Sequence, residues 1–274
     1  MSPDIEIIGD GCAALSLAAR ASELSHNIRL IKPSNAPITN DHVWGFWSDP
    51  ILAPAQQLAR ATWQKWAIIT HNDCAVLSSE TRPYNAFKRS DWSEHCIGLA
   101  ELSKVTIIPE HEWEKSADSL LFDTRPPVVP NDCMLQHFQG IEVKSKQPCF
   151  DKDMAILMDF RVDQSKGMHF IYLLPYSATE ALVESTLFST ELVDEEFYST
   201  SIEGYLKEHC KVEEFSITHQ EKGVIPLGKL APHDARIPGL GSNAGATRPA
   251  SGYAFLFIQR QIDAGISLAN SGKE

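Results

Sequence analysis

The sequence predicts an α/β protein in which a parallel sheet is interrupted by an antiparallel sheet. Three observations support this fold class. A β-branched run, a glycine turn, a helix and a second β-branched run open the chain over 5–31. The stretch His169–Ser189 has the composition of an antiparallel hairpin. A second glycine-rich turn, over 237–246, precedes an apolar helix that ends near Ala269.

The opening segment is typical of a dinucleotide-binding βαβ unit. Strand Ile5–Ile8 leads into the turn Gly9-x-Gly11-x-x-Ala14, and strand Ile28–Ile31 follows at the spacing of a right-handed parallel crossover. In such a turn Gly9 bends the chain tightly, Gly11 lets a pyrophosphate approach the backbone, and Ala14 allows close packing of helix on strand. The alternative is a purely structural glycine turn.

The end of the second strand departs from the usual pattern. Lys32 and Pro33 stand where an acidic residue would bind the ribose hydroxyls, which leaves open which adenine dinucleotide is bound. The backbone N–H groups of 243–246 could contact a second phosphate or a flavin at a helix N-terminus. Alternatively, this stretch only starts a helix that Ser251 caps. Glycine turns at both ends of the chain favour FAD over NAD.

Further elements are predicted from composition and periodicity. We expect a polar loop over 33–41, a helix near Ala53–Thr62, and a helix from Asp194 to about Cys210 whose early carboxylates suit the helix dipole. Strands are predicted at the following runs: Ala67–Leu77, Val105–Ile108, Leu135–Val143, Met154–Phe160, Phe170–Leu174 and Ala181–Phe188.

Composition limits the possible partners. With 24 Lys and Arg against 36 Asp and Glu the net charge is −12, and no basic run occurs, so nucleic acid is not expected as a partner. The same balance argues against a polybasic lipid contact, so any membrane contact would have to be apolar. The apolar stretches are too short to span a bilayer and no export signal is visible, which predicts a cytoplasmic protein. The six cysteines are scattered, which predicts reduced thiols and no metal site.

Two carboxylates are candidates for proton chemistry. Glu184 is the one carboxylate within Ala181–Phe188, and burial in apolar surroundings would raise its pKa so that it could donate a proton. The alternative is that the face carrying Glu184 is solvated. Asp159 ends a strand-like run, and its alternative is an ion pair with Arg161 or a strand cap.

Two other segments have both a binding and a structural interpretation. Asp123 and Arg125 follow a short apolar run, so they could end a strand beside a cofactor or form a simple turn. Trp44, Phe46 and Trp47 are more typical of a core than of a cofactor site, and the neighbouring His42 of a histidine with structural partners.

Taken together, these segments resemble the bacterial lycopene cyclase family, flavoproteins that close the ends of linear carotenoids. The resemblance covers nearly the whole chain, with the motifs in the family's order. Besides the N-terminal glycine turn, it rests on these segments: 40–47 (Asn-Asp-His-Val-Trp-Gly-Phe-Trp), 122–126, 136–143, 158–164, 169–188 with Leu-Val-Glu-Ser-Thr at 182–186, 223–226, and 248–253 (Arg-Pro-Ala-Ser-Gly-Tyr).

The resemblance implies a glutathione-reductase-like, Rossmann-type FAD-binding domain interrupted by a β-sheet domain that binds substrate. We expect 1–66, 104–132 and 222–274 in the first, and 67–103 and 133–221 in the second. The cofactor would be FAD in its reduced form, with NADPH or NADH as reductant. The expected cofactor-binding residues are Gly9, Gly11, Ala14, Trp44, Phe46, Asp123, Arg125, Gly245, Pro249 and Gly252.

The implied reaction is the redox-neutral cyclisation of lycopene to β-ionone rings. Glu184 matches the family's acid/base carboxylate, with Asp159 as the second catalytic candidate. A hydrocarbon substrate implies peripheral contact with the inner face of the membrane.

Two other functions stay open at this level. One is a redox flavoenzyme of the related monooxygenase type, which would consume nicotinamide and oxygen. The other is a non-catalytic remnant that binds flavin or an apolar ligand, because related proteins continue with a further helical region after the final helix.

Overall fold

The computed structural model describes residues 4–35 and 41–271, in which five α-helices and fourteen strands occur. The helices are α1 (Cys12–Ala19), α2 (Ala53–Gln57), α3 (Arg89–Leu102), α4 (Glu195–Glu208) and α5 (Phe255–Asn270). The strands are β1 (Ile5–Ile8), β2 (Ile28–Lys32), β3 (Val43–Trp47), β4 (Ala61–Trp63), β5 (Lys65–Ile69), β6 (Cys74–Ser78), β7 (Tyr84–Lys88), β8 (Thr106–Pro109), β9 (Leu120–Asp123), β10 (Met134–Ser145), β11 (Met154–Asp159), β12 (Met168–Pro175), β13 (Glu180–Ser189) and β14 (Phe215–Leu227).

The chain forms two compact units, each built from separate stretches of sequence. Unit 1 comprises Met1–Thr39, Arg89–Asn131 and Leu227–Glu274, and unit 2 comprises Asn40–Lys88 and Asp132–Pro226.

Unit 1 is a parallel sheet with helices packed on one another beside it. The strand order is β8-β2-β1-β9, and β1 pairs in parallel with both β2 and β9. β1 is buried along its full length, as expected of a central parallel strand covered on both faces. α1 packs against α3 and α5. In register, Ile8 of β1 lies opposite Ile31 of β2 and Asp123 of β9, so the carboxyl ends of the three strands form one edge.

Unit 2 contains a seven-stranded sheet in the order β14-β10-β13-β12-β11-β5-β6 and a three-stranded sheet in the order β3-β7-β4. β10, β13, β12 and β11 run antiparallel in succession, whereas β5 joins β11 in parallel. Val183 and Ile171 pack with Ile202 and Leu206 of α4, which therefore covers one face of the large sheet. The small sheet also contacts the large sheet, since Trp63 Nε1 donates to the carbonyl of Pro175 at 3.1 Å.

Most predicted elements are present, with several differences. The helix expected near Ala53–Thr62 ends at Gln57, because the chain returns to a strand, β4, that pairs with β7. The run expected as one strand, Ala67–Leu77, is a hairpin of β5 and β6. α3 was not predicted. Of the predicted loop over 33–41, residues 36–40 lie outside the described residues.

The unit boundaries also differ from the expected domain boundaries. Residues 40–66 belong to unit 2, because β3 pairs with β7 and β5 pairs with β11. Residues 89–103 belong to unit 1, because α3 packs against α1. The roles of the two units in binding cofactor and substrate stay predictions. Within the described part of the chain, none of the helices combines the length and apolar character needed to cross a membrane.

Candidate functional site

The first glycine turn lies at the carboxyl edge of the parallel sheet. Gly9 N donates to the carbonyl of Ile31 at 2.8 Å, which ties the turn to β2. Gly9 has φ +130°, and a Cβ there would come within 1.9 Å of Thr124 Oγ1. The fold itself therefore requires glycine at position 9.

Gly11 differs from Gly9 because the fold leaves the space beside it open. It is the N-cap of α1, is exposed, and has φ −85°. A Cβ there would meet no atom within 4 Å, and no side chain caps the helix. Ala14 is fully buried, which permits the close packing of the helix. An open space at uncapped helix N–H groups beside the ends of parallel strands fits a dinucleotide phosphate.

Two ion pairs flank this turn. The buried carboxylate of Asp123 accepts hydrogen bonds from Arg125 N at 2.9 Å, Nε at 3.0 Å and Nη2 at 2.8 Å. That carboxylate raises the pKa of Arg125. At the end of β2, Lys32 Nζ lies 3.8 Å from Asp10 Oδ2.

The second glycine-rich segment packs against the same part of unit 1. Asn243 Nδ2 donates to the Asp123 carbonyl at 3.0 Å, and Gly241, with φ +73°, lies so close to α1 that a Cβ would come within 2.5 Å of Ala13 Cβ. The two glycine turns predicted from opposite ends of the chain therefore meet.

The last helix begins after Tyr253, so the alternative in which Ser251 caps it is wrong. α5 begins at Phe255 with Ala254 as its N-cap, so neither 243–246 nor Ser251 starts it. Residues Gly241–Ala244 instead form a separate 3₁₀ turn. Gly245 and Gly252 both have positive φ, +75° and +71°, and Pro249 is exposed. Contact of these three residues with a cofactor stays a prediction.

Glu184 lies in the middle of a strand that is buried on both faces. All residues from Ala181 to Leu187 are buried, and Glu184 itself is 8% exposed, so the alternative of a solvated face is wrong. Its neighbours in register are Gly140 on β10 and Tyr172 on β12. Thr186 Oγ1 donates to Glu184 Oε1 at 2.6 Å.

A second glutamate, Glu221 on β14, lies beside Glu184. It is 1% exposed, and Oε2 accepts a hydrogen bond from Val43 N at 2.9 Å. Among the ion pairs of the described residues, neither glutamate is paired with a lysine or an arginine. Burial raises the pKa of Glu184 to about 7, although hydrogen bonds from Thr186 and with Glu221 oppose the rise. Burial, followed by the charge of Glu184, raises the pKa of Glu221 well above its usual range.

Gly140 leaves room for this pair of carboxyl groups. A Cβ at position 140 would lie 3.0 Å from Glu221 Cγ and 3.4 Å from Glu184 Cβ. The glutamate stems therefore pass directly over the glycine backbone.

Arg60, which directly precedes β4 of the small sheet, is already paired. Arg60 forms an ion pair with the buried Glu142 and lies 3.8 Å above the ring of Tyr176. Burial raises the pKa of Tyr176 far beyond its usual range, which keeps the phenol neutral. Arg60 thus neutralises the charge of Glu142. It does not neutralise a charge on Glu184 or Glu221.

Asp159, the other catalytic candidate, has the contacts of its structural alternative. Its fully buried carboxylate accepts from Arg161 N, Nε and Nη2 at 3.1, 2.9 and 2.6 Å and from Tyr205 Oη at 2.8 Å. Burial raises the pKa of Asp159, but the bonds from Arg161 and Tyr205 outweigh that effect and the pKa is lowered. Such a carboxylate is ionised at neutral pH and is a poor proton donor.

The aromatic residues of β3 pack within unit 2. Trp44 and Phe46 meet the fully buried Phe87 edge-on, with ring centroids 5.9 and 5.4 Å apart. His42 Nε2 lies 2.9 Å from the Lys222 carbonyl. These contacts are structural, and contact of Trp44 or Phe46 with a cofactor stays a prediction.

Sequence reasoning missed Glu221, which stands in the polar run His219–Lys222 where no apolar pattern predicts burial. Among the described residues, no group of three histidine, cysteine, aspartate or glutamate side chains is arranged to hold a metal ion.

Comparison with protein families places this geometry in context. The family model described as "Lycopene cyclase protein" matches residues 4–273. A lycopene beta-cyclase of Paracoccus sp. is 25% identical over 97% of this chain and 74% of that protein. The chloroplastic lycopene beta cyclase of Arabidopsis thaliana is 26% identical over 98% of this chain but only 60% of its own length.

Solved structures show the same fold. A geranylgeranyl bacteriochlorophyll reductase-like protein from Thermoplasma acidophilum has a TM-score of 0.72 at 11% identity, covering 98% of this chain and 78% of that one. A flavin-dependent brominase has a TM-score of 0.65 at 12% identity, covering 99% and 80%. The chain therefore shares the mixed α/β fold of these two proteins, with a Rossmann-like parallel layer.

Proposed function

Because the chain belongs to the lycopene cyclase family, we propose that it is a lycopene β-cyclase. It would close the ψ end groups of lycopene to β-ionone rings without net oxidation or reduction. This is an isomerisation in which no atom is gained or lost.

The burial of Glu184 and the raised pKa that follows from it carry this proposal. Cyclisation of an unactivated alkene begins with its protonation, which needs an acid that still holds a proton near neutral pH. A solvated glutamate, with a pKa of about 4.3, would be almost fully ionised there. Burial raises the pKa of Glu184 to about 7, so this carboxyl group holds its proton at neutral pH far more readily than a solvated glutamate does. The proton moves from the carboxyl group to the terminal double bond, the neighbouring double bond closes the ring, and a ring proton returns to a base.

The surroundings of Glu184 suit a cationic intermediate. Burial on both faces of the strand excludes the water that would otherwise trap the cation. The rings of Phe170, Tyr172 and Phe188 form an aromatic cluster on the same hairpin, with centroids 5.3 and 5.7 Å from that of Phe170. Aromatic faces stabilise positive charge without acting as nucleophiles.

We propose FAD as the cofactor, held at the turn Gly9–Gly11 with the C-terminal segment beside it. Reduced FAD, when bound, would supply negative charge that favours a developing cation. Asp123 and Arg125 would fix the sheet edge where the nucleotide lies, since each already satisfies the other. NADPH or NADH would serve only to keep the flavin reduced.

The substrate sets the proposed location. Lycopene dissolves in the bilayer, so the enzyme would contact the inner face of the membrane peripherally from the cytoplasm. Flotation with lycopene-containing vesicles tests this: the protein should rise with the vesicles, and recovery of all of it in the aqueous phase would contradict the contact.

The direct test of the activity is to express the chain in lycopene-accumulating bacterial cells and to analyse the extracted pigments. The cyclase proposal predicts conversion of lycopene to monocyclic and bicyclic products. Unchanged lycopene, with folded and flavin-loaded protein present, would contradict it and favour a non-catalytic binding protein.

A redox flavoenzyme is the second candidate, because the fold is shared with a reductase-like protein and a brominase. The purified protein should form product anaerobically without net consumption of reduced nicotinamide. A requirement for oxygen, or nicotinamide consumption in proportion to product, would transfer support to the redox enzyme.

Replacement of Gly11 tests the cofactor site. Gly11→Val should fold, because the added side chain enters open space, but should lose FAD because it fills the place of the pyrophosphate. Gly98→Val is the matched control, since Gly98 also faces open space but lies on α3. Flavin absorbance of the purified variants gives the result. A folded Gly11→Val variant with a full complement of flavin would refute the assignment.

A further inference from the structure

We propose that Glu184 and Glu221 share one proton across their adjacent carboxyl groups, so that Glu221 is a positioning residue that keeps the proton at the site. This inference rests on the proposed function, because it concerns the proton that starts cyclisation. Its physical basis is independent of substrate.

The geometry fixes Glu221 beside Glu184. The Glu221 carboxyl group is anchored on one side, where Oε2 accepts from Val43 N at 2.9 Å. Its other oxygen, Oε1, is buried and has no hydrogen-bond donor within the described part of the chain. Glu184 likewise receives one side-chain hydrogen bond, from Thr186. Two ionised carboxylates cannot donate to each other, so the pair is satisfied only when one of them holds a proton.

The side chains that surround the pair do not neutralise it. Arg60 is paired with Glu142, which adds a further negative charge nearby. His219 Nε2 lies 3.7 Å from Glu221 Oε2 but 2.7 Å from the Asp41 carbonyl, so its N–H points to the carbonyl. Lys222 is 63% exposed and pairs with Glu195. The side chains that interact with the pair are therefore Thr186, Glu142, Tyr176 and His219, and they include no lysine or arginine.

A shared proton explains how one site can donate a proton to the substrate and later accept a proton from it. When the proton leaves Glu184 for the terminal alkene carbon, two carboxylates are left side by side in a buried site, which is unfavourable. Return of the ring proton to either oxygen restores the singly protonated pair. The ring C–C bond forms, one proton enters and one leaves, and the enzyme ends in its starting state.

The test uses infrared difference spectroscopy of the purified protein with all glutamates ¹³C-labelled at the carboxyl carbon. At pH 8 the wild-type protein should show the C=O stretch of one protonated, isotope-shifted carboxyl group. This band should be lost in Glu221→Gln, whereas Glu184→Gln should shift its frequency, because the buried Glu221 then holds its proton without a carboxylate partner. Glu180→Gln is the control, because Glu180 is a half-buried carboxylate on the same strand that pairs with Lys144, and this variant should keep the band. Absence of the band from the wild-type protein at pH 8 would overturn the proposal without any variant, and so would its persistence in Glu221→Gln.

A pH profile separates this role from a merely structural one. In the wild-type protein the pair keeps its last proton until the pH passes the strongly raised pKa of Glu221, whereas in Glu221→Gln the proton depends on Glu184 alone. The alkaline limb of the cyclisation rate should therefore move at least one pH unit lower in Glu221→Gln, while the rate at pH 6 stays within about tenfold of wild type. A uniform loss of rate at every pH, with the limb unmoved, would show a structural role and refute the proposal. If the chain does not cyclise lycopene at all, the infrared result still decides the shared proton.

Discussion

Glu184 and Asp159 are two buried carboxylates of one sheet with opposite chemistry. Both lie on strands of the seven-stranded sheet, at 8% and 0% exposure. Asp159 receives three bonds from Arg161 and one from Tyr205, and its pKa is lowered. Glu184 receives one side-chain bond, from Thr186, lies beside another carboxyl group, and has its pKa raised to about 7.

The comparison shows that burial alone does not determine the charge of a carboxyl group. Burial disfavours the ionised form at both positions, but a two-pronged arginine and a phenol reverse the effect at Asp159. A cation two residues along the chain makes Asp159 a structural anion. The absence of such a partner makes Glu184 an acid.

The largest difference between variants of these two carboxylates is expected in the rate of cyclisation. Glu184→Gln preserves size and hydrogen bonding but removes the transferable proton, so cyclisation should fall by about 10²–10⁴-fold. Asp159→Asn should cost less than about tenfold per folded, flavin-loaded molecule, because Asp159 does not supply the proton. Pigment analysis in lycopene-accumulating cells, normalised to bound flavin, gives both numbers. Equal losses in the two variants would show that the distinction between them is wrong.

The next effect is on the pH dependence of stability. The folded state raises the pKa of Glu184 from 4.5 to about 7, so it holds this proton more tightly than the unfolded chain does. Its stabilising contribution is therefore full below about pH 4.5 and is lost as the pH rises towards 7, an effect of about 3 kcal/mol. Urea unfolding at a series of pH values should show this loss in the wild-type protein relative to Glu184→Gln. A difference that does not change with pH would contradict the raised pKa.

The smallest effect concerns the paired carboxylate. Asp159→Asn should destabilise the protein by about 2 kcal/mol at pH 7, because it weakens charged hydrogen bonds to Arg161 and Tyr205. The pKa of Asp159 is lowered, so this contribution is present above its ordinary value of 3.8 and is lost as the pH falls through the lower folded-state value. The wild-type and variant stabilities should therefore converge in acid. A gap that persists in acid would contradict an ion-pair origin.

The sequence predicted those features that depend on local pattern. The strand, glycine turn and helix over 5–19 and the hairpin of β12 and β13 are confirmed, because each depends on periodicity within a short run. The helix α3 escaped prediction because its residues alternate charged and apolar types without a clear apolar stripe. Residues 40–66 belong to unit 2 and residues 89–103 to unit 1 because of long-range strand pairing and helix packing. Local sequence pattern does not reveal such contacts.

The site was predicted only in part for the same reason. Glu184 is recognisable as a lone carboxylate in an apolar strand, and the structure confirms its burial. Glu221 is not recognisable, because its side chain lies over Gly140 of the neighbouring strand β10 and against the backbone of Val43, and both residues are far away in sequence. For Asp159 the sequence left an acid, an ion pair with Arg161 and a strand cap as alternatives, and only the side-chain geometry of Arg161 distinguishes them.

The central claim, that an exchangeable carboxyl proton of this chain starts ring closure, is tested most directly by cyclisation in D₂O. The carboxyl proton exchanges with solvent between turnovers, and its transfer to the terminal alkene carbon forms a new C–H bond that stays in the product. Mass spectrometry should therefore find one deuterium for each ring formed. Rings without deuterium would show that the hydrogen comes from a source that does not exchange with solvent, and would contradict the account.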